Sequence, residues 1–158
     1  MADQAPAETR DRYPHLLDIP TRWADNDVYG HVNNATYYSY FDTVVNRYLI
    51  EHGLLDLAGS EAIGLVVETS CRFHRSLVFP DVIEAALRIG KIGNSSVRYE
   101  LALFKKGDSL GAAATGHFVH VYVDRATRRP TPVPPAIRAA LAALVVLPWS
   151  PAHPSWRR

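Results

Sequence analysis

One cysteine, Cys71, stands in the 158 residues. That excludes an intramolecular disulfide framework and any cysteine-rich zinc site. An excess of one charge sign is missing too: 17 Lys and Arg against 16 Asp and Glu leave a formal net charge of +1. A surface that coats nucleic acid has to neutralise phosphates, so no nucleic-acid partner is expected. Long apolar runs are absent. The longest late one, Ala139 to Leu147, is bounded by Arg138 and Pro148 and falls well short of the ~20 residues that span a bilayer. The opening MADQAPAETRDRYP is polar and lacks the apolar stretch of a secretory signal. No repeat at solenoid periods is visible. The expectation is a soluble, cytoplasmic protein without membrane contact.

What is present is an ordinary globular balance, 47% hydrophobic and 21% charged, which argues against wholesale disorder. A length near 150 residues favours one domain, able to bury about 70% of the surface its unfolded chain would expose. Residues 1–12 carry small, charged and proline residues without periodicity and read as a flexible tail. Residues 148–158 are broken by Pro148, Pro151 and Pro154 and cannot continue a helix or a central strand. Between them, residues 13–147 read as a single domain.

Within that block, His15 to Trp23 reads as a strand, followed by a polar turn through Gly30. From about Asn34 to His52, the residues Tyr37, Phe41, Val44, Val45, Tyr48 and Leu49 recur at three- and four-residue intervals, the mark of a helix with one buried stripe. Asn33 or Asn34 can cap its start, and Gly53 sits where helices commonly end. Ile63 to Arg75 reads as a further strand, ended by Phe79-Pro80-Asp81. After it the period is two. Ile83, Ala85, Leu87 and Ile89 alternate with Glu84, Ala86 and Arg88, and Val97, Tyr99, Leu101 and Leu103 alternate with Arg98 and Glu100. Thr115, His117, Val119, Val121 and Val123 share one face of a last run. Gly93-Asn94 and Lys106-Gly107-Asp108 supply hairpin chemistry between these runs, and Pro134-Pro135 can open a short closing helix over Ala136 to Leu144. The order is a strand, a long helix, then four strands in antiparallel succession. At 1.5 Å per residue the helix is roughly 28 Å long, enough to lie across five strands about 4.8 Å apart. One helix wrapped by one curved five-stranded antiparallel sheet is an α+β architecture.

Chemistry concentrates in Asp25-Asn26-Asp27-Val28-Tyr29-Gly30-His31-Val32-Asn33-Asn34, just before the helix begins. A helix N-terminus leaves backbone N–H groups unpaired and partly positive, so it can receive a carbonyl oxygen that becomes negative during attack. An aspartate just upstream can attack the carbonyl carbon or take a proton from water, which is the geometry of acyl transfer. The same residues also serve as turn and cap chemistry, and Asp25 reads as a structural turn acceptor. Asp25, Asp27 and His31 form only a mixed trio with no further Cys/His cluster, so no metal site is expected.

At these residues the chain resembles the hotdog-fold thioesterases, specifically the 4-hydroxybenzoyl-CoA thioesterase-like acyl-CoA thioesterases. The acidic pair stands as Asp25-Asn26-Asp27, followed by Gly30, Asn33-Asn34 and Tyr37. His31-Val32-Asn33-Asn34 is also similar to a segment of plant acyl-carrier-protein thioesterases. The likeness covers roughly Tyr13 to Asp124. It implies a hotdog fold and hydrolysis of an acyl-CoA thioester to a carboxylic acid and free coenzyme A. Asp27 would be the catalytic carboxylate, as nucleophile or general base, and the Asn34 backbone N–H would polarise the thioester carbonyl. Gly30 would let the substrate approach, and His31 and Asn33 would occupy positions used in only some branches. It also implies a homodimer or a dimer of dimers with acyl-CoA between subunits, and no metal or prosthetic group, coenzyme A being part of the substrate.

Candidate substrate-binding residues are Tyr37, whose ring belongs to the helix stripe or lines an acyl pocket, and Glu68, which orients water in a pocket or points to solvent. Arg128 and Arg129, with Arg125, form a basic cluster that could meet coenzyme A phosphates or be solvated loop charge. His117 and His120, on opposite strand faces, read as structural. The rival functions are a non-catalytic acyl-CoA-binding hotdog protein and a hotdog hydratase or dehydratase.

Overall fold

The apolar stripe at helical spacing forms α1 (Asn34–Glu51), in which Tyr37, Tyr40, Phe41, Val44, Val45, Tyr48 and Leu49 are all buried. In the computed structural model, which describes residues 7–146, α1 follows β1 (His15–Pro20) and precedes β2 (Ala62–Phe73), β3 (Val82–Ile92), β4 (Ser96–Lys105), β5 (Ala114–Asp124) and the short α2 (Pro135–Ala142). The proline-broken tail expected over 148–158 lies outside the described residues. Gly53, with φ +66°, follows the last turn of α1, where the left-handed region favours glycine. Among the described residues no helix is long and apolar enough to cross a membrane.

All strand pairs are antiparallel, in the spatial order β1-β3-β4-β5-β2. The antiparallel succession expected from the sequence therefore holds for β3, β4 and β5 only. β2 crosses to the far edge and pairs with β5, from Ala62 opposite Asp124 to Phe73 opposite Ala114, while β1 takes the place beside β3. β1 also stops earlier than expected: Thr21 turns away and ties its N–H and hydroxyl to the carbonyl of Asp81.

The sheet wraps α1 with Ile83, Ala85, Leu87 and Ile89 of β3 and Val97, Tyr99, Leu101 and Leu103 of β4 in the shared core. Complete burial of such side chains stabilises by roughly 1.5–3 kcal/mol each. On β5 the face expected to be apolar is the outer one. Phe118, His120 and Tyr122 are buried beneath α1, whereas of the face expected to be apolar Val119 and Val121 are half-buried and Val123 is buried. Gly116 leaves room for the Phe41 ring of α1, because a Cβ there would collide with that ring and with the Ser70 carbonyl.

Residues 8–12 differ from the loose tail their composition suggests. The Glu8 carbonyl accepts from the Ala112 N–H at 3.0 Å, and Arg10 pairs with Glu84 at 2.9 Å. Arg88 reaches Glu8 at 3.3 Å and Glu100 at 3.0 Å. The segment covers an outer-face cluster of Tyr13, Ala86, Ala102, Phe104 and Ala112, which supplies the apolar burial that the short sequence window could not reveal.

His120 is 4% exposed, and neither ring nitrogen has a hydrogen-bond partner among the described residues. Burial holds its pKa down at about 4. The unfolded chain takes up a proton near pH 6.5 that the folded chain refuses until about pH 4. The stability this group contributes is therefore complete above pH 6.5 and is lost as pH falls through that window, to the order of 3 kcal/mol. His120→Phe is expected to flatten this loss, read as Tm against pH between 7 and 4. An unchanged acid slope in the variant would assign it to other groups.

Candidate active site

The polar loop between β1 and α1 is held from two sides. Asp25 is buried, and its carboxylate accepts the Arg22 N–H at 2.8 Å, the Arg22 guanidinium at 2.9 and 3.0 Å, and the Tyr40 hydroxyl at 2.7 Å. Burial works to raise its pKa, but these bonds outweigh it and hold the carboxyl below the ordinary carboxylate range. Its backbone carbonyl accepts the Asn33 N–H at 2.9 Å. Asp25 thus fastens the loop to α1 with every oxygen occupied. On the other side, the Val32 N–H donates to the Leu77 carbonyl at 2.8 Å and the Phe79 N–H to Asn26 Oδ1 at 3.1 Å.

Between these anchors, Asp27 to His31 makes a tight turn. The Gly30 N–H donates to the Asp27 carbonyl at 3.1 Å and the Asp27 N–H to the His31 carbonyl at 3.0 Å. Gly30 has φ +89° and open space where a Cβ would be. The turn's dihedrals thus favour glycine, as expected: a side chain there would be strained by about 1–2 kcal/mol.

The turn presents the Asp27 carboxylate half-buried, with Oδ1 accepting the Tyr29 N–H at 2.8 Å and Oδ2 accepting from Asn33 Nδ2 at 3.1 Å. Asn33 is the N-cap of α1, its Oδ1 accepting the Ala35 N–H at 2.9 Å. One side chain therefore joins the acid to the helix start. Of the two asparagines that could cap, Asn33 does so, and Asn34 is the exposed first residue of the helix. The Asn34 N–H, in the unpaired first turn, sits at the positive end of the helix dipole.

Asp27, His31, Asn34 and Tyr37 line one open cleft of about 400 Å³ together with Phe73 and His74. Four of the residues expected in a site are thus brought together; Gly30 shapes the turn beside them. Tyr37 is buried, its ring packed edge-on against Phe73 at 4.9 Å between centroids. The His31 ring is exposed and makes only a long contact of 3.4 Å to the Val32 carbonyl, so it does not build the cap. Phe73, His74, Arg75 and Ser76, which also line the cleft, escaped sequence reasoning because they arrive from the end of β2 with no motif of their own.

The remaining candidates lie elsewhere. Glu68 is on the outer face of β2, where its Oε1 meets His117 Nε2 at 2.6 Å, and His117 Nδ1 meets Ser70 Oγ at 2.7 Å. It orients an imidazole and not a water in the cleft. Arg128 and Arg129 are exposed in the turn after β5, beside the start of β2, about 35 Å along the strand from Phe73 at 3.3 Å per residue. Glu68, Arg128 and Arg129 are therefore not brought to this chain's own cleft.

An acid held by two hydrogen bonds beside an open helix N-terminus can serve attack on a carbonyl and receive the resulting oxyanion. Residues 21–141 match the family model of the thioesterase-like superfamily. The chain belongs to that superfamily. Its fold is that of the hotdog thioesterases. The PA5185 protein of Pseudomonas aeruginosa is 55% identical, over 89% of this chain and 97% of that one, with a TM-score of 0.85. A thioesterase from Thermus thermophilus, solved with coenzyme A and zinc, is 29% identical over 85% of this chain and 96% of its own, with a TM-score of 0.70. The gentisyl-coenzyme A thioesterase BH1999 shares the fold at 24% identity and a TM-score of 0.71, over 80% and 99%. None of the curated proteins compared with this thioesterase-like chain matches it. Among its described residues no group of three or more His, Cys, Asp or Glu side chains is placed to hold a metal ion.

Proposed function

We propose that this thioesterase hydrolyses an acyl-CoA thioester to a carboxylic acid and free coenzyme A. The observation that carries the reading is the bridge made by Asn33, which holds the Asp27 carboxylate beside the open first turn of α1. The thioester carbonyl oxygen would lie at the Asn34 N–H, where negative charge developing on it is stabilised. Asp27 would take the proton of an attacking water, or attack the carbonyl carbon itself to form an anhydride that a water then opens to the carboxylic acid and free Asp27. As the C–S bond breaks, the electron pair leaves on sulfur, and His31 would supply the proton that makes the free thiol. The acyl group would extend past Tyr37 and Phe73. This course calls on no metal or prosthetic group.

A homo-oligomer belongs to the same proposal. Among the described residues β2 pairs only with β5, which leaves its other edge open, and Leu65, Val66 and Val67 on it are exposed. Open apolar edges are completed by pairing with a second copy. In solution the protein would be a dimer or a dimer of dimers.

Incubation with a panel of aliphatic and aromatic acyl-CoAs, read as free thiol released, is expected to show turnover of at least one member, with a dimer or tetramer mass by light scattering. Binding without thiol release across the panel would make the protein a carrier, and hydration of an enoyl chain without thiol release would make it a hydratase.

A further inference from the structure

The outer face of the sheet carries a second cleft, of about 350 Å³, bordered by Arg72, Arg98, Ser70, Thr115 and His117. The sheet register assembles it: Arg72 lies opposite Thr115 and Ser70 opposite His117 across β2 and β5, and Glu100 of β4 lies opposite His117. Glu8, Glu100 and Arg88 also line it, and the acidic groups are already engaged. Glu8 and Glu100 both pair with Arg88, and Glu68 is turned onto the far nitrogen of His117. Arg72 and Arg98, by contrast, carry no ion pair or hydrogen bond through their guanidinium groups among the described residues. Two unpaired guanidiniums in one polar cleft suit a phosphate, which arginine binds in fork geometry.

This cleft is a neighbour of the one at the start of α1. His74, which lines the α1 cleft, meets Thr115 of the outer cleft at 2.9 Å between Nε2 and Oγ1. The one guanidinium among the described residues that line the α1 cleft, that of Arg75, is committed to Asp108 and to the Gly111 carbonyl.

We propose that the Arg72–Arg98 cleft binds the phosphate-bearing nucleotide end of a coenzyme A thioester whose acyl end lies in the α1 cleft. The inference rests on the thioesterase reading above. The long, narrow pantetheine arm would pass His74 and Thr115, so the substrate would bend from the helix side of the sheet to its outer face. Phosphate recognition would then lie remote from the reacting carbon and act on binding more than on the chemical step.

The test compares an acyl-CoA with the same acyl group on N-acetylcysteamine, a thioester without nucleotide or phosphate. For the double variant Arg72→Ala/Arg98→Ala, KM for the acyl-CoA is expected to rise at least ~10-fold with kcat within about two-fold, as for loss of uniform binding. The kcat/KM for the truncated thioester should stay the same. Adenosine 3′,5′-bisphosphate should inhibit the wild type competitively and the variant at least ~10-fold more weakly, the scale of losing charged phosphate contacts. Arg72→Lys/Arg98→Lys should restore part of the loss. An unchanged KM and unchanged inhibition in the alanine variant would overturn the assignment. So would a rise in KM produced by Arg128→Ala/Arg129→Ala in its place. If neither thioester is turned over, the thioesterase reading fails. Calorimetric titration with adenosine 3′,5′-bisphosphate then decides the cleft separately: binding lost in the alanine variant upholds it as a phosphate site, and no binding to the wild type overturns it.

Discussion

Asp27→Asn is expected to leave the protein folded and to cut kcat on its acyl-CoA substrate at least ~100-fold, the scale for a positioned acid or base. The substitution keeps the shape and removes the charge. The Tyr29 N–H can still donate to the amide oxygen, so the turn keeps its local support. The only contact put at odds is the one from Asn33 Nδ2, now facing an amide in place of a carboxylate. Asp25→Asn is the contrasting case. Its carboxylate is buried and holds Arg22 and Tyr40, so its loss should lower Tm, by an amount corresponding to roughly 1–3 kcal/mol. Circular dichroism melts beside steady-state kinetics separate the two. Equal kcat for wild type and Asp27→Asn would remove Asp27 from the reaction, and matching losses of both Tm and kcat in the two variants would make the whole acidic pair a structural element.

The second large effect is expected at Asn33, because one side chain does two jobs there. Asn33→Asp preserves the cap, since aspartate serves as well as asparagine at that position, and a negative charge near a helix N-terminus is favourable. What changes is the neighbour of Asp27: a donor amide at 3.1 Å becomes a second carboxylate. Like charges that close disfavour ionisation of both, so the pKa of Asp27 should rise. The expected result is a Tm close to that of the wild type, a kcat lower by ~10- to 100-fold at neutral pH, and an acid limb of the pH–rate profile displaced to higher pH. Asn33→Ala, which removes cap and bridge together, should cost about 1 kcal/mol of stability as well. A lower kcat in Asn33→Asp with an unmoved acid limb would show that Asn33 acts on the fold and not on the ionisation of Asp27.

Much of the site was legible because it is local. Asp27, Gly30, Asn33 and Asn34 lie within two turns of chain, and the geometry of a tight turn leading into a helix leaves few arrangements for them. The stripe of α1 was legible for the same reason: side chains three and four apart must share a face. The resemblance to the hotdog thioesterases rested on these same residues, and the superfamily match confirms it over residues 21–141.

Other features depend on which strand meets which. Period two in β5 separates Phe118, His120 and Tyr122 from His117, Val119 and Val121, yet it does not say which set faces α1. The valines look like core, but the helix accepts the larger rings, and the valines stay half-buried outside. The passage of β2 to the far edge depends on pairing energies summed along the strand, to which no single residue testifies. That crossing carries Phe73 and His74 to the start of α1, and it turns Glu68 outward onto His117. It also places Arg72 on the same outer cleft as Arg98, two residues far apart in the chain. By itself, then, the amino-acid order determined the long helix, the pair of asparagines from which its cap is drawn and the acidic turn before it, all products of backbone geometry over a few residues. The lining of the cleft, the orientation of Glu68 and the placing of Arg72 and Arg98 on one outer cleft were decided only by tertiary structure, because sheet register, and not sequence spacing, sets which side chains become neighbours.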